Sequence, residues 1–186
     1  ARVLLALADV GYPGLYGDPT VIPQGLIFIK GVQHMAGYWY GRWGTNYTYG
    51  TGQVLQALAA IGEDPSLPYI QRAVNWLKSV QNPDGGWGES PASYVNPTQI
   101  AVGESSSFQT AYVLIGLIAV GEADSPEVKK GVNWLLDAQR EDGTWWDWQF
   151  LGTNLPGYWY SRYELLSTYK SLYALAQYRQ HKSDEG

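Results

Sequence analysis

The side chains here with a capacity for chemistry are scattered carboxylates, two histidines, three glutamine–tryptophan pairs at a fixed spacing, and a large store of aromatic rings. Glu63–Asp64, Glu89, Glu104 and Asp142 could furnish the acid and base pair of a glycoside hydrolase. All but Glu104 sit in or beside turns, where a solvated or capping role is the ordinary one. His34 and His181 lie far apart in the chain, neither with a flanking ligand pattern. With no cysteine, a zinc site of the Cys/His/carboxylate kind lacks its donors. No phosphate-cradling glycine loop and no nucleophile elbow occurs. No metal and no cofactor is expected.

The aromatic store is the unusual part. Nine Trp and fifteen Tyr stand beside three Phe, and aromatics make up 15% of the 186 residues. That exceeds what core filling needs, so some of these rings are expected to line a surface or cavity. Charged residues make up 16%, against the usual quarter, and the net charge is −5. An acidic chain has no electrostatic footprint for nucleic acid. The absence of cysteine fits a cytoplasmic protein. No run of about 18 apolar residues exists to cross a membrane as a helix.

The elements that must position these residues form a repeat. "FIKGVQHMAGYWYG" (28–41), "WLKSVQNPDGGWGE" (76–89) and "WLLDAQREDGTWWD" (134–147) share one pattern. Each has an aromatic, then Gln five positions on, then three residues, Gly, one residue and Trp. The pairs are Gln33/Trp39, Gln81/Trp87 and Gln139/Trp145. Three matches with constant internal spacing indicate a structural repeat. The glutamine amide is expected to serve backbone groups at the next helix terminus or to lie against an indole, with Gly85 and Gly86 permitting positive φ and close approach. This is a structural role, not a catalytic one.

Helices are expected over roughly 1–10, 21–33, 50–61, 68–81, 107–120, 126–139 and 160–180. Residues 68–81 and 126–139 are amphipathic. Pro68 and Pro126 suit first turns and Ser125 a cap. Residues 50–62 and 107–121 are apolar around more of their circumference and end at Gly62 and Gly121, so they should be buried more deeply. Alternating amphipathic and buried helices describe two concentric layers, an all-α α/α toroid of the α6–α6 barrel type. Seven helices, against about twelve in a closed ring, suggest about half a ring. "ARVLLALADVGY" reads as a helix that begins without a cap, so the chain is expected to have been cut from something longer.

The Gln-x-x-x-Gly-x-Trp repeats resemble the QW motif of triterpene cyclases. "WYGRWGTNYTYGTGQVL" (39–55), "VQNPDGGWGES" with "SSSFQTAYVLIGLIAVGE", and "GTNLPGYWYSRYELLSTYKSLYALAQYR" (152–179) are similar to bacterial squalene–hopene cyclases. The similarity runs in order along essentially the whole chain and corresponds to the C-terminal portion of such an enzyme. The resemblance implies two α-helical domains around a large apolar cavity, monotopic attachment at the cytoplasmic face of a membrane, and cyclisation of squalene or a related linear polyprenoid. It leaves room for a homodimer. The family's proton donor is an Asp-x-Asp-Asp carboxylic acid. That motif is absent from this sequence, and in the family it lies upstream of this segment, so the isolated chain is expected to be inactive and to need the rest of the cyclase.

Cyclisation of this kind passes through carbocations, which π faces stabilise without a nucleophilic lone pair and which water would quench. By resemblance, Trp43 corresponds to a pocket tryptophan and Tyr49 to a tyrosine near the acid. The family's tail reads Phe-Pro-Gly-x-Phe-Tyr-x-x-Tyr-x-x-Tyr. Trp159 and Tyr163 keep aromatics there, while Leu155 and Leu166 replace two others. Each replacement removes a cation–π face worth about 1–2 kcal/mol in a dry site, which points to a different cyclisation endpoint or a different polyprenyl substrate. The bland alternative is a terminal helix in which Tyr160, Tyr163, Leu166, Tyr169 and Tyr173 simply pack. Two other functions stay open at this point: a carbohydrate-binding or hydrolysing α/α protein, and a non-catalytic repeat scaffold.

Overall fold

A computed structural model describes residues 1–12 and 17–184. Among them are seven α-helices: α1 (Arg2–Asp9), α2 (Val21–Gly31), α3 (Tyr47–Ala60), α4 (Pro68–Ser79), α5 (Ser107–Ala119), α6 (Pro126–Asp137) and α7 (Glu164–Asp184). A small hairpin, β1 (Gly152–Leu155) and β2 (Trp159–Ser161), precedes α7. The fold is thus mostly helical rather than purely so.

The expected alternation is present. α5 buries eleven of its thirteen residues and α3 ten of fourteen. α4 and α6 bury one stripe each, Ile70, Ala73, Val74 and Leu77 in the first, Val128, Gly131, Val132 and Leu135 in the second. α1, α3, α5 and α7 pack side by side, with α4 laid against α3 and α6 against α5. The main core fills the space between these layers. α3 and α5 approach closely because Gly52 faces Gly116; a Cβ on either would strike the opposing backbone. Gly62 and Gly121 end their helix regions with φ of +80° and +88°, the left-handed stop expected of them.

Two boundaries differ from expectation. α3 begins at Tyr47, so Tyr49 lies in its first turn. Its end is closed from another unit, with no side-chain cap from Asn46, so nothing local announces it. At the other end, residues 160–163 are not helical. Pro156 and Gly157 turn the chain, Gly157 at φ +85°, and β1 pairs antiparallel with β2, Thr153 opposite Tyr160 and Leu155 opposite Trp159. Tyr160 therefore lies in a strand. α7 packs on α5 through small residues, Ser167, Ser171 and Ala174, while Tyr169 and Tyr173 are exposed. The reading of Tyr160, Tyr169 and Tyr173 as packing residues of a terminal helix does not hold.

Candidate functional site

The three Gln/Trp pairs act as clips, and each part of the motif has one job. The glycine four residues after each glutamine (Gly37, Gly85, Gly143) takes positive φ. Its carbonyl then faces the glutamine amide, at 2.8, 2.7 and 3.0 Å from Nε2 of Gln33, Gln81 and Gln139. Gln33 and Gln81 also donate to a carbonyl in the first turn of the next outer helix, Tyr69 and Glu127, both at 2.8 Å. The glutamine therefore reaches the next helix, as expected, but at its start, where carbonyls are already engaged along the helix. The orphan carbonyls are served by tryptophan instead. The indole N–H of Trp39, Trp87 and Trp145 donates to Ile29, Leu77 and Leu135 respectively, each in the last turn of the preceding outer helix. A third component was not read from the sequence. The backbone N–H of each Trp donates to a threonine hydroxyl on the following inner helix: Thr51, Thr110 or Thr168.

Two residues beyond the second and third Trp stands an acid, and it closes the preceding inner helix. Glu89 accepts from the Thr48 amide at 2.9 Å and the Thr48 hydroxyl at 3.0 Å, at the start of α3. Asp147 accepts from the amides of Ser107 (2.7 Å) and Phe108 (3.0 Å), at the start of α5, and from the Ser167 hydroxyl of α7 (2.6 Å). Both carboxylates are buried. Negative charge there offsets the positive end of each helix dipole. Glu89 thus has the capping role but not a solvated one. Asp64 and Asp142 accept from turn amides, Glu63 pairs with Lys30 at 3.0 Å, and Glu104 is exposed.

Those capped ends carry a second, separate cluster: Tyr49 of α3, Phe108 and Tyr112 of α5, and Leu151, with Tyr163 and Leu166 packed against them. The rings of Tyr49 and Phe108 stack at 5.6 Å, and Tyr112 meets both edge-on at 4.7 and 4.8 Å. Glycines set the spacing. A Cβ on Gly44 would lie 2.7 Å from the Tyr49 ring, and one on Gly152 would strike Trp43 and Tyr163. The backbone of Trp43 is tied to β1 through the Thr153 amide (3.3 Å), with Thr45 bonded to Leu151 (2.9 Å). Tyr94 holds the same loop by donating to the Gly44 carbonyl at 2.7 Å.

Of the site residues expected from sequence, Tyr49, Tyr163 and Leu166 come together here. Trp43 adjoins them through its backbone, while its ring is about half exposed beside the Arg42 guanidinium. Leu155 and Trp159 pair across the hairpin and are exposed, at 58% and 61%. Phe108, Tyr112 and Leu151 were missed. The i, i+4 spacing of Phe108 and Tyr112 in "SFQTAY" is the signal that places both on one face.

The cluster presents uncharged aromatic rings. Burial pushes the phenols of Tyr49 and Tyr112 above their ordinary value, Arg2 partly offsetting it in Tyr49. Burial acts likewise on Tyr94, reinforced by Tyr40. All three stay neutral at ordinary pH, presenting π faces without a phenolate. Two of those faces already hold cations. The Arg2 guanidinium lies 5.9 Å from the Tyr49 centroid and donates to its hydroxyl, and the Lys170 ammonium lies 4.9 Å from the Tyr112 centroid. Burial, helped by Arg2, lowers the Lys170 pKa.

An inner row of capped helices, an outer row clipped to it and an aromatic cluster at the capped ends define a helical-repeat protein with the fold of type II terpene cyclases. The chain superposes on a variant of the type II terpene cyclase MstE from Scytonema, solved with geranylgeranyl dihydroxybenzoate, with a TM-score of 0.65 at 21% identity; the match covers 94% of this chain and 52% of that one. A structure of a protein from Actinoplanes gives 0.62 at 22% identity, covering 95% and 55%. The chain belongs to the squalene–hopene cyclase family, matching its C-terminal domain over residues 1–180. A probable squalene–hopene cyclase of Sinorhizobium fredii is 43% identical over 184 residues, and the squalene–hopene cyclase of Alicyclobacillus acidocaldarius 42% over 180. Dammaradiene synthase of Dryopteris crassirhizoma is 38% identical over 175. This chain covers 98%, 97% and 87% of its own length in these matches, but 28%, 28% and 26% of the relatives. It spans little more than a quarter of their length. Among the described residues no helix is long and apolar enough to cross a membrane.

Proposed function

We propose that this chain is the C-terminal part of one α/α-toroid domain of a class II terpene cyclase, about half of the ring, and that it lines the cavity in which a linear polyprenoid such as squalene cyclises through carbocations. The observation that carries this reading is the neutral, buried Tyr49–Phe108–Tyr112 cluster. A carbocation developing beside these rings gains cation–π stabilisation of about 0.5–2 kcal/mol per face. Glu89 and Asp147 assist by cancelling the positive helix ends that would otherwise oppose it.

Trp43, Tyr49, Tyr163 and Leu166 are the pocket residues of this reading, with Leu155 and Trp159 at its rim on the hairpin. The Asp-x-Asp-Asp donor is absent from this sequence, so the acid comes from the remaining part of a cyclase, its partner, which attaches to the cytoplasmic face of a membrane and can pair as a homodimer. The experiment is binding. A tertiary-amine analogue of squalene, protonated near neutral pH as a carbocation mimic, is titrated against the chain with tyrosine and tryptophan fluorescence as readout. It should bind more tightly than squalene, and Tyr112→Leu should abolish the difference. Equal affinity for both, or cyclised product from squalene with the chain alone, contradicts the reading.

A further inference from the structure

Three cations stand over aromatic rings at the tyrosine cluster and the Trp43 loop: Arg2, Lys170 and Arg42. Among the described residues none of the three forms an ion pair with a carboxylate. Lys30, Lys78, Lys129, Arg140 and Lys182 each find one, in a chain whose acids outnumber its bases. Positive charge without a partner is therefore particular to this region.

The position of the Arg2 guanidinium is fixed by two residues of α3. Its Nη2 donates to the Tyr49 hydroxyl and its Nε to Oε1 of Gln53 at 3.3 Å. Tyr49 and Gln53, four residues apart, lie on one face of that helix. Both line a cavity of about 320 Å³, as do Arg2 and Arg42. The guanidinium thus sits at the cavity wall. It has more N–H donors than these two bonds use, and Arg2 is an exposed residue, open to a ligand. Arg2 also helps burial to lower the Lys170 pKa, so the two cations act on each other across the Tyr49–Tyr112 contact.

The other walls say what a ligand must be. Phe28, Val32, Trp39, Trp43 and Val54 are among them, with Phe28 67% and Val32 52% exposed. Covering such side chains with an apolar chain removes their surface from water. No Asp or Glu lines the cavity, and Arg2 and Arg42 are its only charged side chains. A diphosphate head ordinarily brings Mg²⁺ held in part by protein carboxylates, which this wall lacks. A carboxylate needs no metal, and its two oxygens match the planar fork of an arginine.

We infer that this cavity takes an isoprenoid carboxylate, its head on the free N–H groups of Arg2 and its chain along Phe28, Val32 and Trp43. The inference rests on the reading of Trp43 and Tyr49 as polyprenoid-pocket residues and adds the head group of the ligand.

The test titrates the chain with farnesoate, with farnesol (the same chain without the charge) and with acetate (the charge without the chain). Calorimetry and the Trp43 indole resonance in NMR are the readouts. The chain is N-acetylated, so that the Ala1 amino group, which also belongs to the cavity lining, adds no charge. Farnesoate should bind saturably, shift Trp43 and bind at least tenfold more tightly than either control. Arg2→Gln should bring farnesoate to the level of farnesol and leave farnesol unchanged, while Arg2→Lys, which keeps the charge but not the fork, should fall between. Raising the ionic strength should weaken farnesoate and not farnesol, a check that needs no variant. Equal affinity for farnesoate and farnesol overturns the inference and leaves the polyprenoid reading standing. Acetate bound as tightly as farnesoate, or no binding of either farnesyl probe, overturns both. Undiminished farnesoate binding in Arg2→Gln overturns the assignment of the head to Arg2.

Discussion

The carboxylate of Asp147 accepts the amide of Ser107 at 2.7 Å across forty residues of sequence. The same carboxylate takes the Phe108 amide and the Ser167 hydroxyl, so one side chain closes α5 and ties it to α7. Asp147→Ala leaves two buried helix amides without an acceptor, a loss of about 1–3 kcal/mol for each, or roughly 4–24 °C in melting temperature for a chain of this size. Asp147→Asn keeps one acceptor oxygen and should lose less. Circular dichroism melts of the two variants check the order.

The three clips are not equal. Gln81 donates to both Gly85 and Glu127, whereas Gln139, on the surface, donates to Gly143 alone among the described residues. Gln81→Ala should therefore destabilise the chain by about 1 kcal/mol more than Gln139→Ala, one net hydrogen bond. Equal midpoints in urea would show that the bond to Glu127 contributes nothing.

Trp87→Phe preserves most of the buried ring and removes the indole N–H from the Leu77 carbonyl, 2.7 Å away. An orphaned buried acceptor costs about 1–3 kcal/mol. Amide exchange should rise first at the C-terminal turn of α4, which distinguishes this local uncapping from general loosening of the core.

Alkaline titration reads the aromatic cluster directly. Tyr49, Tyr94 and Tyr112 have folded pKa values raised by burial, above an unfolded value of about 10. The fold therefore keeps its full stability below that pH and loses it as pH rises further. Absorbance at the phenolate band should show these three ionising only upon unfolding.

Acid acts at a different place. Glu63 is held below the usual carboxylate range by the Tyr69 hydroxyl first and then by Lys30. Its contribution is present above the unfolded value of about 4.3 and is lost as pH falls through the depressed folded value. Glu63→Gln should flatten the acid limb of the stability curve and, because Glu63 also helps to raise the Tyr69 phenol, alter the alkaline limb too.

Much of this architecture is legible from periodicity. The Gln-x-x-x-Gly-x-Trp spacing exposes the clips because its chemistry is local: four residues separate the amide from its carbonyl, and ten separate the indole from the helix end it caps. The start of α3 was misplaced because its cap, Glu89, lies 41 residues beyond Thr48. The hairpin was missed for a different reason. "LPGYWY" carries a Pro-Gly turn signal, but the regular spacing of tyrosines around it imitates a helix. Within the candidate site, Tyr49, Tyr163 and Leu166 were accessible through resemblance. Phe108 and Tyr112 were hidden in a helix so apolar that no face of it stands out.

The threonine that receives each tryptophan amide follows that tryptophan by 12 residues in the first clip and by 23 in the second and third. The anchors at both ends are the same, yet the chain between them nearly doubles, taking up two short 3₁₀ turns in one case and a hairpin in the other. The difference in length leaves the anchor the same: in each clip the Trp amide still donates to the threonine hydroxyl of the next inner helix. The difference alters the loops that surround the capped helix ends. The repeat thus places its variable chain length at the face with the aromatic cluster, while the anchors of the helical frame stay the same.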